Sequence, residues 1–236
     1  MRALSACLLS LSLALPLPSG AQQSCTDDAM IVFDGSGSMA EIGVNMVGVA
    51  KISEARLALR RVLPSVAAAR RLGLVIYGPG GDRTCRNSEL RFGPQWEAAP
   101  RILSEVDALR PVGGTPLTEG VRMAAEALDY RNTAGAVVLV TDGAETCGGA
   151  PCALAAELAE NAPGLVVHVI GFKVDMRGEL DRGGRPIIAA RCLADRTGGR
   201  YVTAQTLDEL AGALRLTLGC NLFGALSPVA IPRPGG

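Results

Sequence analysis

Apolar runs alternate with amphipathic segments along most of this chain, a pattern typical of strands that alternate with helices. The uninterrupted runs predict strands that are buried on both faces, and they cover residues 29–33, 72–77, 136–140 and 165–172. Two shorter runs predict an antiparallel edge strand and a short last strand, at 88–92 and 200–203. Apolar residues at helical spacing predict helices over 49–66, 96–109, 117–130, 153–161, 187–197 and 207–218.

These elements predict a single α/β domain over about residues 22–220, because apolar strands that alternate with helices form a parallel sheet covered on both faces. We expect a doubly wound, mostly parallel sheet of six strands in the order 3-2-1-4-5-6, with one antiparallel edge strand. No internal repeat or linker interrupts the pattern. Hydrophobic residues make up 48% of the chain, which is enough to bury a sizeable core.

The two ends of the chain differ from this pattern. Residues 1–21 combine Arg2, an apolar stretch from Leu4 to Leu17 and a final group of small residues, which together predict a secretory signal peptide. The apolar stretch is shorter than the roughly 20 residues of a transmembrane helix. Residues 221–236 are rich in Pro and Gly and predict a disordered tail. We therefore expect a periplasmic or secreted protein with no membrane span.

An exported protein meets an oxidising environment, which changes the interpretation of its cysteines. Removal of the signal peptide leaves six of them, an even number that predicts disulfides: Cys25, Cys85, Cys147, Cys152, Cys192 and Cys220. Six cysteines allow 15 pairings. We expect Cys147 with Cys152 in a small loop, Cys25 with Cys220 at the domain ends, and Cys85 with Cys192. Zinc is disfavoured, because the chain has no CxxC pair and a single histidine.

Charge and aromatic content exclude some classes of partner. The formal net charge is zero and aromatic residues make up only 3% of the chain, which argues against nucleic acid and against a stacking platform for bases or sugars. Of the 23 basic residues only Lys51 and Lys173 are lysines. We interpret this scarcity first as coding bias.

Candidate chemistry is concentrated where strands end. Asp34 and Asp142 each end a predicted strand, and the two strands are neighbours in the expected order, so both carboxylates face one crevice. The loop Asp34-Gly35-Ser36-Gly37-Ser38 adds two hydroxyls, and Thr115 adds a third. Two close buried carboxylates repel each other, and a bound cation removes that cost. Oxygen ligands favour Mg²⁺ or Mn²⁺ over zinc or copper.

Asp34-x-Ser36-x-Ser38, followed by Thr115 and then by Asp142 at a strand end, resembles the metal-ion-dependent adhesion site of the von Willebrand factor type A (VWA) domain. The likeness covers about residues 25–218, and the stretch 145–152 resembles secreted bacterial members. The resemblance implies that the hydroxyls coordinate Mg²⁺, or Mn²⁺ or Ca²⁺, directly. It implies that the aspartates bind directly or through water. It also implies a protein partner with an acidic residue and no enzymatic activity.

Several features have more ordinary interpretations. Gly35-x-Gly37-x-x-Ala40 has the form of a dinucleotide fingerprint, but the next strand ends at Tyr77 with no acidic residue for a ribose. His168 lies in the middle of a strand and predicts a core histidine and not a catalytic base. The acidic residues that follow the fifth strand predict a solvated loop: Asp175, Glu179 and Asp181.

The sequence therefore predicts an exported, metal-dependent module that binds a partner's carboxylate through a divalent cation. Two alternatives stay open. One is a metal-dependent hydrolase, which lacks an evident general base beyond the metal carboxylates. The other is an assembly subunit of a larger periplasmic complex.

Overall fold

The computed structural model describes residues 28–42, 48–79, 85–174 and 189–219. Its strands are β1 Asp28–Asp34, β2 Arg71–Tyr77, β3 Ser88–Gln95, β4 Gly135–Thr141, β5 Leu165–Phe172 and β6 Tyr201–Ala204. They form one sheet in the order β3-β2-β1-β4-β5-β6, with β3 antiparallel to β2 and the other pairs parallel. The predicted fold class, strand order and antiparallel edge strand are confirmed.

The helices in these ranges are α1 Lys51–Ala67, α2 Ala99–Asp107, α3 Leu117–Ala127, α4 Pro151–Asn161, α5 Arg191–Thr197 and α6 Leu207–Leu218. Compared with the periodicity, α1, α2 and α5 begin two to four residues later, α4 begins two residues earlier, and α3 and α6 begin where predicted. For α2 the reason is local: Glu97 has a φ of 52°, which is not helical, and Pro100 then opens the first turn. None of the helices described here has the length and apolar character needed to cross a bilayer.

The apolar runs are continuous because each strand faces two cores. Ile31 and Phe33 of β1 pack on the side of the sheet that carries α1, α2 and α6. Met30 and Val32 point to the opposite side, where α3, α4 and α5 lie. Successive strand side chains alternate between faces, so helices on both faces require both sets to be apolar. The predicted signal peptide, the predicted tail and the predicted loop of Asp175, Glu179 and Asp181 lie outside the described residues.

Three loops meet backbone to backbone at the carboxyl edge of the sheet. The amide of Gly37 donates to the carbonyl of Gly113 (2.9 Å), and the amide of Gly113 donates to the carbonyl of Gly78 (2.9 Å). The contact is so close that a Cβ on Gly78 would lie 2.4 Å from the Ser36 nitrogen. Gly78 also has a φ of 86°, in the left-handed region that favours glycine. The loop that carries Ser36 therefore rests on Gly78.

His168 of β5 is a buried core histidine, as predicted. Its Nδ1 accepts the backbone N–H of Arg200 at 3.0 Å, so the neutral imidazole has a defined role. Burial, together with the positive charges of Arg70 and Arg200, lowers the pKa of His168 from about 6.5 to about 4. Because the unfolded chain binds this proton more tightly than the folded protein, the residue makes folding sensitive to acid.

We expect the contribution of His168 to the free energy of unfolding to fall as the pH drops from 6.5 towards 4, the interval between the unfolded and folded pKa values of this residue. The part due to this residue is about 3 kcal/mol, present in full above the interval and lost below it. His168→Asn keeps an acceptor for the Arg200 amide but does not titrate, so on acidification the free energy of unfolding of the wild type should decrease, relative to that of the variant, by this amount. Urea unfolding of both proteins across this range makes the comparison, and parallel pH profiles would contradict it.

Gly78→Ala should lower the free energy of unfolding by about 2 kcal/mol, because the added methyl meets the Ser36 backbone and φ is unfavourable. Gly143→Ala is the matched control. A Cβ at Gly143 meets no atom within 4 Å, and its backbone is not in the left-handed region, so we expect a change below about 0.5 kcal/mol. Urea unfolding measures both, and equal stabilities of the two variants would show that the loop does not depend on Gly78.

Candidate metal centre

Two neighbouring parallel strands bring the aspartates together. Asp34 is the last residue of β1, and Asp142 follows the last residue of β4. The register pairs Phe33 with Val140, so both strands end at the same edge. Asp34 is 0% exposed and Asp142 only 4%, which places both carboxylates in the protein interior.

The loop after β1 links these carboxylates through one backbone amide and two hydroxyls. The Ser36 amide donates to Asp34 Oδ1 (2.8 Å) and turns the chain, and a short 3-10 turn over Gly37–Ala40 follows. Ser36 Oγ lies 3.0 Å from Ser38 Oγ, and Ser38 Oγ donates to Asp142 Oδ1 at 2.7 Å. Four of the five predicted site residues therefore form one continuous hydrogen-bonded set.

Thr115, the fifth predicted residue, lies on the adjacent loop. Ser36 and Gly113 form an isolated parallel bridge, which places the Thr115 segment against the loop of the serines. Thr115 is 5% exposed. Its amide donates to Thr146 Oγ1 (2.8 Å), and its carbonyl accepts from the Thr146 amide (3.2 Å). The segment is held between the Ser36 loop and the loop after β4.

Burial and mutual repulsion disfavour two negative charges at this edge. Burial first, and then the charge of Asp142, raise the pKa of Asp34 to about 6, although hydrogen bonds from Ser36 and Thr141 act in the opposite direction. Thr141 Oγ1 donates to Asp34 Oδ2 at 2.7 Å. Burial and the charge of Asp34 also raise the pKa of the Tyr77 hydroxyl well above its ordinary value. A positive charge at this place would relieve the repulsion.

A lysine that the sequence analysis did not assign to the site supplies one such charge. Lys51 opens α1, and its Nζ donates to Asp142 Oδ2 at 2.8 Å. The side chains of the pair are 10% and 0% exposed, so the ion pair is buried. The sequence signal for it was the rarity of lysine in a chain whose cations are otherwise arginine.

The residues present fit a hard divalent cation. The donors are carboxylate and hydroxyl oxygens, which Mg²⁺, Mn²⁺ and Ca²⁺ prefer. In the part of the chain that the structure describes, no three His, Cys, Asp or Glu side chains gather as a metal site would need. A cation at this edge would therefore depend on the hydroxyls of Ser36, Ser38 and Thr115.

The disulfides that the structure describes differ from the predicted pairs. Cys85 is bonded to Cys147, and Cys152 is bonded to Cys192, with sulfur–sulfur distances of 2.06 and 2.03 Å. The pairings Cys147–Cys152 and Cys85–Cys192 were therefore wrong. The predicted Cys25–Cys220 pair lies outside the described residues.

The reason for the different pairing is the path of the loop after β4. Glu145 Oε1 accepts the Cys147 amide (2.9 Å), which fixes Cys147 at the rim of the candidate site. A Cβ on Gly114 would lie 3.0 Å from the Cys147 sulfur and 3.5 Å from the Cys85 sulfur, so this disulfide crosses beside the Thr115 segment. Cys152 is the second residue of α4, and α4 packs against α5, which carries Cys192.

A cavity of about 490 Å³ opens beside the same rim. The Cys85–Cys147 disulfide, Pro116, Thr118 and Glu145 are among the residues that line it. The Glu145 carboxylate is held in place, because Oε2 accepts from both the amide (2.9 Å) and the hydroxyl (2.7 Å) of Thr118. The candidate site therefore has a defined depression next to it.

Residues 29–145 match the model of the von Willebrand factor type A domain, a segment that contains all five predicted site residues. Two uncharacterized proteins of Bacillus subtilis (strain 168) are each 28% identical to the chain. YwmD aligns over 216 residues, which is 87% of this chain and 91% of its own length. YwmC aligns over 191 residues, which is 76% of this chain and 78% of its own length.

Solved structures share the fold at low sequence identity. BatB from Bacteroides thetaiotaomicron matches with a TM-score of 0.55 and 16% identity over 81% of this chain and 98% of its own. The pilus adhesin SpaC from Lactobacillus rhamnosus GG matches with a TM-score of 0.59 and 15% identity, over 84% of this chain and 31% of its own. Proximal thread matrix protein 1 from the mussel byssus, solved with zinc in its metal-ion-dependent adhesion site (MIDAS), matches with a TM-score of 0.55 and 17% identity. The match covers 84% of this chain and 47% of its own. The family model accounts for residues 29–145, and the solved structures show that the chain has the fold of the von Willebrand factor type A domain.

Proposed function

We propose that this protein is an exported binding module that holds a divalent cation at Asp34, Ser36, Ser38, Thr115 and Asp142. Through that cation it engages an acidic side chain of a partner protein. VWA domains are in general protein-interaction modules. The observation that carries the proposal is the pair of buried carboxylates, Asp34 and Asp142, which Ser36 and Ser38 connect through the Ser36 amide and the two hydroxyls.

Each residue has a distinct part in this function. The hydroxyls of Ser36, Ser38 and Thr115 are neutral oxygen donors, so a cation that they bind keeps more of its positive charge than it would in a cage of carboxylates. Asp34 and Asp142 supply the negative charge that retains it. When bound, the cation supplies a positive centre with open positions for an acidic ligand.

The chemistry of the site supports Mg²⁺ or Mn²⁺, with Ca²⁺ as a further option. The solved thread matrix protein carries zinc at its metal-ion-dependent adhesion site, which supports cation binding at this place in the fold. The two disulfides of the described residues support export, because such bonds persist in oxidising compartments. We propose a function without turnover, since the chain's single histidine is buried in β5 with Nδ1 engaged by Arg200.

Mn²⁺ or Mg²⁺ should raise the thermal unfolding temperature of the protein. A ligand that binds only the folded state stabilises it by about 2.7 kcal/mol at a hundredfold excess over Kd. Ser38→Ala removes one donor without changing any charge and should lose most of this shift. Ser65→Ala, at the far end of α1, is the matched control and should keep it. Equal shifts in wild type and Ser38→Ala would contradict the assignment of the site.

Acetate, as a probe for the partner's carboxylate, should stabilise the protein further only when Mn²⁺ is present. Linkage requires that acetate and Mn²⁺ tighten each other's binding by the same factor. Calorimetric titration of Mn²⁺ with and without excess acetate measures that factor, and chloride at equal ionic strength is the control. A stabilisation by acetate that is the same without metal would show that the carboxylate binds elsewhere.

A further inference from the structure

Lys51 makes the candidate centre different from a simple pair of aspartates. Its ammonium donates to Asp142 Oδ2 at 2.8 Å, and Ser38 Oγ donates to Oδ1 at 2.7 Å. Both oxygens of this carboxylate therefore accept a hydrogen bond. The Lys51 amide also donates to the carbonyl of Glu41 (3.0 Å), which fixes the start of α1 beside the loop of the serines. The lysine is therefore part of the architecture of the site.

The identity of the residue at this position has a physical reason. Of the 23 basic residues, 21 are arginines, yet both lysines are buried in ion pairs. Lys173, which is 3% exposed, pairs with Glu54, one turn along α1 from Lys51. A lysine presents a compact point charge, whereas the planar guanidinium of arginine needs more room.

The ammonium changes the charge that a metal ion meets. Two ionised aspartates carry a charge of −2, and Lys51 reduces the total for the three side chains to −1. A divalent cation would therefore be attracted less strongly than by the aspartates alone, and it would be repelled by the ammonium at short range. A carboxylate brought by a partner restores the missing negative charge.

We propose that Lys51 is the resident counter-charge of this cation site, which weakens binding of the metal alone and makes tight binding depend on the partner's carboxylate. The inference rests on the function proposed above and adds a reason for coupling between metal and partner. The opposite role is a positioning one, in which Lys51 holds Asp142 in the geometry that the metal needs. The two roles predict opposite changes in metal affinity when the lysine is replaced.

The test is calorimetric titration of the protein with Mn²⁺ alone, with Lys51→Met as the variant. Met matches the lysine side chain up to its ε carbon and removes the charge, so we expect Kd for Mn²⁺ to fall about tenfold or more. The factor by which acetate tightens Mn²⁺ binding should fall in the same variant. Lys51→Gln, which stays polar, should change both quantities in the same direction and covers the case of a poorly folded Met variant.

Lys173→Met is the matched control, because it also removes a buried lysine that pairs at the first turn of α1. We expect it to lower the unfolding temperature and to leave Kd for Mn²⁺ within about twofold, a difference below about 0.4 kcal/mol. A similar gain in affinity in this variant would attribute the effect to loosening of α1 and would overturn the role of Lys51.

Unchanged or weaker Mn²⁺ binding by Lys51→Met and Lys51→Gln, with normal binding by the wild type, would overturn the counter-charge role and favour positioning. A failure of the proposed function has a different signature. In that case neither the wild type nor any of the lysine variants binds Mn²⁺, with or without acetate.

Discussion

The burial of two like charges on neighbouring strands is the constraint that organises this end of the molecule. A buried charge without partners costs several kcal/mol, so each aspartate needs donors from the surrounding chain. Asp34 receives them from the Ser36 amide and the Thr141 hydroxyl. Asp142 receives them from Ser38 and Lys51. These contacts also fix the turn after β1 and the start of α1. The same hydrogen bonds and ion pair therefore compensate the buried charges and determine the local structure.

The same requirement determines how α1 is attached to the sheet. Lys51, the first residue of α1, pairs with Asp142 at the end of β4. Glu54, one turn further along the helix, pairs with Lys173 directly after β5. Surface ion pairs contribute little to stability, but these two are largely removed from water. Removal of one partner would leave an uncompensated buried charge and would lower the stability of the protein far more. The first turn of the helix is thereby held in position relative to two strands without a capping side chain.

The sheet could be predicted from the sequence because its signals are local. Continuous apolar runs identify strands with helices on both faces, and the alternation at Ser88 to Phe92 marks the edge strand that the structure extends to Gln95. Asp34 and Asp142 could be predicted to meet because parallel neighbours end at one edge. Ser36 and Ser38 followed from their spacing in a short loop. These features need no knowledge of how distant side chains pack.

What could not be predicted depends on long-range geometry. Lys51 is 91 residues from Asp142, and helical periodicity marks it only as a polar position. The short spacing of Cys147 and Cys152 suggested a local loop, but one sulfur turns to the rim of the site and the other enters α4. The first residues of α1 and α2 were misplaced by two or three positions, because apolar periodicity continues into the turns that precede them.

The Cys85–Cys147 bond has a consequence for how a partner would be received. It joins the segment before β3 to the segment after β4, 62 residues apart, and it passes beside Gly114. Segments that are already tied lose little conformational entropy when a ligand orders them, and less of the contact energy is consumed in association. On this side of the rim a partner would therefore meet a surface that is already preorganised.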